Sequence, residues 1–153
     1  MLAKIAGAIE PHRSGYQAQE ILNPFESDTT INLSDIIAFS VESALELISP
    51  AAIFVPTRSG ATARSIARFH PPKWTVAVSS EETTCQRLQF SYGVHPVYET
   101  DHPDDWNAFI RNWLKAQNVE GNLVILTEGP SRKRPDTNNR MEIIDLNAGP
   151  ATL

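Results

Sequence analysis

Residues 51–69 constrain the fold of this 153-residue chain more than any other stretch. They run from an apolar segment, Ala51 to Val55, through a polar turn with one glycine, into Ala63, Ile66, Ala67 and Phe69 at helical spacing. A strand, turn and amphipathic helix of this kind cannot bury their apolar faces alone; they call for neighbouring strands and a helix layer. The turn itself, Thr57, Arg58, Ser59, Gly60, Ala61 and Thr62, gathers three hydroxyls and a guanidinium at the start of the helix. A helix start offers unpaired N–H groups and a partial positive charge, a natural seat for phosphate. The same residue types also serve as an ordinary N-terminal cap.

The rest of the chain repeats the unit. Leu33, Ile36, Ile37, Val41, Ala44, Leu45 and Ile48 share one face of a helix expected over 32–48, capped by Asn32 or Ser34 and ended by Ser49 and Pro50. After the first strand (51–57) and a helix reaching Phe69, a second strand is expected over 74–79. A helix from Glu81 then carries Gln86, Leu88 and Phe90 to a stop at Gly93. A third strand, 94–98, contains Pro96, which suits a sheet edge. Trp106, Phe109, Ile110, Trp113 and Leu114 recur at helical spacing, and 122–127 is apolar throughout, like a central parallel strand. The last strand, 141–146, follows a dozen residues without helical pattern. A parallel crossover needs a helix, so this strand is expected antiparallel at an edge. The fold class is therefore α/β: a three-layer α/β/α sandwich around a five-stranded, mostly parallel sheet with an antiparallel last strand. In such sheets ligands gather at the strand carboxyl ends, where the loops 57–62 and 128–139 both begin.

Composition narrows the function. No apolar run approaches the ~20 residues that cross a bilayer, and the start of the chain is too short and too broken for a secretory signal. A formal charge of -5 argues against a nucleic-acid partner, so any bound anion must be met by a local basic cluster. The single cysteine, Cys85, forms no internal disulfide and suits a reducing cytoplasm. Near a helix start its thiol could be acidified; a buried, apolar role is the simpler expectation. His12, His70, His95 and His102 show no metal-ligand spacing.

Several segments in order resemble the C-terminal domain of pyruvate kinase: Ile53 to Ala63, Arg64 to Pro71, Trp74 to Val78, Gln86 to Leu88, Tyr92 to Val97, Gly121 to Leu126, and Thr137 with Asn138. The likeness covers nearly the whole chain. Residues 1–15 resemble the tail of the last helix of that family's catalytic barrel with its linker, 16–147 the regulatory domain, and 148–153 a frayed end. What the resemblance implies is a cytoplasmic regulatory and subunit-contact domain of a homo-oligomer, inactive alone and either a fragment or a free-standing homologue. The family's glycolytic reaction, phosphate transfer from phosphoenolpyruvate to ADP with Mg2+ and K+, belongs to the barrel, so no cofactor or catalytic residue is expected here. The implied partners are the barrel and a phosphorylated effector, a sugar phosphate or nucleotide monophosphate. Thr57, Arg58, Ser59, Gly60 and Thr62 match the loop that holds one phosphate. Arg132, Lys133 and Arg134 stand in the loop expected to meet a second phosphate or the sugar, departing there from the family's glycine-rich pattern. Trp106 and Arg111 lie where some relatives place an aromatic and an arginine; for Trp106, core packing is the competing role. Two other readings are a structural domain without an effector and a small stand-alone enzyme or sensor for a phosphorylated metabolite.

Overall fold

The computed structural model describes residues 32–129 and 138–148. The expected N-terminal helix and linker, Arg132, Lys133 and Arg134, and the end of the chain beyond residue 148 lie outside these residues. Helix α1 (Leu33–Leu45) opens on a reciprocal cap: the Asp35 amide donates to Asn32 Oδ1 at 3.0 Å, and the Asn32 amide to Asp35 Oδ2 at 3.5 Å. It stops at Leu45, short of Pro50. Strand β1 (Ile53–Pro56) leads to α2 (Ala61–Ala67), β2 (Thr75–Ser79), α3 (Glu82–Leu88), β3 (Val94–Tyr98), α4 (Trp106–Ala116), β4 (Leu123–Glu128) and β5 (Arg140–Asp145).

The sheet order is β3-β2-β1-β4-β5, with β1 to β4 parallel and β5 antiparallel to β4. Central strands β1, β2 and β4 are almost wholly buried, while β3 and β5 at the edges are half exposed, as two-sided burial of a parallel sheet requires. The chain steps β1 to β2 to β3 in one direction, then crosses back over to β4. With right-handed crossovers this places α2 and α3 on one face and α4 on the other. The core divides accordingly. Ile53 and Val55 pack with Ala38, Val41, Ala63, Ile66 and Leu88 on one face; Phe54, Val76, Val124 and Leu126 pack with Ile110 and Leu114 on the other. These layers form the expected α/β/α sandwich.

Two helices are shorter than their apolar spacing suggests. Helix α3 ends at Leu88, so Phe90 falls beyond it and is 93% exposed. On α1, burial first and then Glu46 one turn on push the Glu42 carboxyl above its ordinary 4.5. A raised carboxyl means that the native protein binds this proton more readily than the unfolded chain, so stability falls as pH rises through that window. Glu42→Gln should therefore raise the melting temperature at pH 7.5, and its advantage should shrink as pH is lowered toward 4.5. A constant advantage across that range would contradict the assignment.

Candidate functional site

The direction of chain progression reverses between β1 and β4, and at such a switch point the strand ends leave a crevice. A cleft of about 470 Å³ opens there, at the carboxyl ends of β1 to β4. Thr57, Arg58, Ser59 and Thr62 line one side. Thr127, Glu128 and Gly129 after β4, together with Asn139, enter from another, so both ends of the 128–139 loop reach the same crevice as the turn. Glu99, Asp101, His102 and Trp106 complete the far wall.

The turn is built by its own hydrogen bonds. The Gly60 amide donates to Thr57 Oγ1 at 2.9 Å and the Ala61 amide to Ser59 Oγ at 3.3 Å. Both hydroxyls accept in these bonds, so each keeps an O–H to offer an anion. Thr62 Oγ1 donates to Ser34 Oγ at 3.3 Å, and Thr84 Oγ1 donates to the Arg58 carbonyl at 2.7 Å, tying the turn to α1 and α3. Arg58 lies 3.7 Å from Glu81 with 60% of its side chain exposed. An ion pair this open contributes less than about 1 kcal/mol, which leaves the guanidinium able to turn to a ligand.

The helix cap is Gly60, not one of the hydroxyl residues, and it has no side-chain cap bond. Its φ of 78° lies in the left-handed region, and an added Cβ would meet Arg64 Nη1 at 2.9 Å and Leu88 Cδ2 at 3.0 Å. Gly60→Ala should thus cost about 1–3 kcal/mol, combining backbone strain with overpacking. Urea denaturation would read it; an unchanged midpoint would show that the turn relaxes freely.

Trp106 stands between the core and the cleft. It packs at the border of the α4-side core, edge-on to Phe109 at 5.5 Å, and also lines the cleft, edge-on to His102 at 5.2 Å. Its indole Nε1 is buried without a hydrogen-bond partner. Arg111 does not reach this cleft. Its guanidinium donates to the Leu146 carbonyl, and it lines a separate depression with Lys115, Asn122 and Asn147. Cys85 is buried, and burial first, then Glu82, push its thiol up, the opposite of an activated nucleophile. No group of three or more His, Cys, Asp or Glu side chains among the described residues is placed to hold a metal ion.

Sequence reasoning missed Glu128. It ends β4 with its side chain 4% exposed, paired with Arg140 directly across the ladder and 3.7 Å from His102 Nε2. A charged residue closing an otherwise apolar strand was the available signal, and the antiparallel register of β5 supplies its partner.

Residues 34–144 match the family model described as "Pyruvate kinase, alpha/beta domain". The chain belongs to this pyruvate kinase domain family. It is 34% identical to the pyruvate kinase of Thermococcus litoralis over 151 residues, covering 95% of this chain and 31% of that protein. It is 30% identical to pyruvate kinase 2 of Synechocystis sp. over 134 residues, covering 84% of this chain and 21% of that protein. The chain thus spans a third or less of the length of these relatives and corresponds to their C-terminal domain. A solved Cryptosporidium parvum pyruvate kinase in complex with ADP shares the fold, with a TM-score of 0.68 at 19% identity over 83% of this chain and 26% of that one. Among the described residues, no helix of this pyruvate kinase domain is long and apolar enough to cross a membrane.

Proposed function

We propose that this chain is the regulatory domain of a cytoplasmic, homo-oligomeric pyruvate kinase and that its cleft binds a phosphorylated metabolite. The observation that carries the reading is the position of the 57–62 turn: it forms one wall of the cleft beside the sheet's switch point, with hydroxyls and a guanidinium facing a space of ligand size. In this reading Arg58 and the Thr57 and Ser59 hydroxyls hold the phosphate, Thr62 joins them by turning its O–H away from Ser34, Gly60 lets the backbone approach it, and Trp106 borders the remainder of the ligand. Arg132, Lys133 and Arg134 are proposed to close over it from the 128–139 loop, whose two ends meet at the cleft. The domain performs no bond-making step. Phosphate transfer between phosphoenolpyruvate and ADP, with its metal ions, is assigned to the barrel that the relatives' greater length accommodates. Effector binding would act on that reaction by shifting subunit and barrel contacts. Subunit packing is assigned to the side of α1 and β5, where Leu33, Ile36 and Ile143 are each at least half exposed.

Calorimetric titration with fructose 1,6-bisphosphate, glucose 6-phosphate, ribose 5-phosphate and AMP tests the reading. Binding of at least one, weakened tenfold or more (roughly the loss of one charge-assisted hydrogen bond) in Arg58→Ala, is the expected result. No binding by any of the four contradicts it, and turnover of one of them would point instead to a stand-alone enzyme.

A further inference from the structure

The cleft is electrically two-sided. The β1 end carries Arg58 and the turn hydroxyls, whereas the ends of β3 and β4 contribute Glu99, Asp101 and Glu128. Glu128 differs from the others in being held. Its Oε2 is bonded to the Arg140 guanidinium and its Oε1 lies 3.7 Å from His102 Nε2, so it cannot swing into solvent when a ligand arrives. Arg140 does not cancel this charge cleanly, because its Nε also pairs with Glu142 at 2.9 Å. Phe54 pairs with Leu126 in the parallel β1–β4 ladder, and each strand runs two residues further, bringing Pro56 level with Glu128. Neighbouring strands lie ~4.8 Å apart. A phosphate on the 57–62 turn therefore falls within one or two strand spacings of the carboxylate, about the screening distance of physiological salt.

We propose that Glu128 sets the ligand class of the cleft. One phosphate sits on the 57–62 turn, and an uncharged, hydroxyl-bearing portion points toward Glu128, so that polyol monophosphates are accepted and bisphosphates rejected. This deepens the phosphate reading above and rests on it. A carboxylate accepts hydrogen bonds only, and two of its roughly four lone-pair sites remain for ligand hydroxyls. A second phosphate brings like charge against a fixed anion, and selection then comes from repulsion as much as attraction.

The test titrates the native protein and Glu128→Gln with ribose 5-phosphate, glucose 6-phosphate and fructose 1,6-bisphosphate at one pH and ionic strength, with thermal melts to confirm folding. The native protein should bind a monoester at least tenfold tighter than the bisphosphate, and Glu128→Gln should narrow that gap by about tenfold, the scale of one nearby charge in a partly screened site. If Glu128→Gln does not fold, the paired change Glu128→Gln with Arg140→Gln, which leaves neither partner as an unpaired charge, should narrow the gap in the same direction. A native preference for the bisphosphate would overturn the assignment and return the far end of the ligand to Arg132, Lys133 and Arg134. Discrimination unchanged in Glu128→Gln (or in the paired variant, if that one carries the test) would overturn it while leaving the phosphate reading intact. Absence of binding by all three ligands would overturn this assignment, and only the further absence of AMP binding would remove the phosphate reading as well.

Discussion

Replacing Phe54 with alanine should destabilise the domain by about 3–5 kcal/mol, the cost of deleting a buried aromatic and leaving its cavity. Phe54 is fully buried in the middle of the central strand β1, where its ring meets Trp113 of α4 edge-on at 5.4 Å and 89°. Edge-to-face contact adds to the area term. Phe54→Leu, which keeps most of the volume, should cost clearly less. Phe90→Ser is the matching control: at 93% exposure its change should stay within about 0.5 kcal/mol. Urea midpoints at constant m-value would read all three. A Phe54→Ala loss below about 1 kcal/mol would mean that the two faces of the sheet are not packed as described.

Arg140→Ala should cost about 2–4 kcal/mol, because it strips the buried Glu128 carboxylate of its main partner while leaving the charge in place. The guanidinium is half exposed and the carboxylate 4% exposed, so the asymmetry has a direction. Loss of the arginine orphans a buried charge; Glu128→Gln leaves an arginine that can find water or Glu142. Arg140→Ala should accordingly destabilise more than Glu128→Gln. The pair also joins the two ends of the 128–139 loop, since Glu128 and Arg140 are partners in the β4–β5 ladder. Gly129 crowds Asn139 there: an added Cβ would lie 2.7 Å from Asn139 Oδ1. Equal stability of the two variants would show that the carboxylate is better hydrated than its burial implies.

What could be read from the residues was what local chemistry controls. The apolar run through Val124, Ile125 and Leu126 marked a central parallel strand, Pro96 marked an edge, and the missing crossover helix before Met141 marked an antiparallel partner. All three hold in the sheet. Helix ends were less legible, because Ser59 and Thr62 cap equally well on paper while the left-handed turn demands Gly60. The apolar spacing of Phe90 continued the helical pattern past the point where α3 ends, and only the fold shows its exposure. Arg111 follows Trp106 closely on α4, but tertiary contact with Leu146 takes it away from the cleft. The acidic wall was invisible for a different reason. Glu99, Asp101 and Glu128 come from two strand ends that adjoin the cleft only once β4 crosses back beside β1.

Amide hydrogen exchange, with and without saturating ribose 5-phosphate or glucose 6-phosphate, tests the location of the phosphate most directly. Slowed exchange at Thr62 and Ala63, the first-turn amides that α2 leaves without intrahelical acceptors, together with the 57–60 turn, is the predicted result. The depression around Arg111 and Lys115 should remain unchanged. Protection confined to that depression, or none at the 57–63 amides under saturating ligand, would contradict the account.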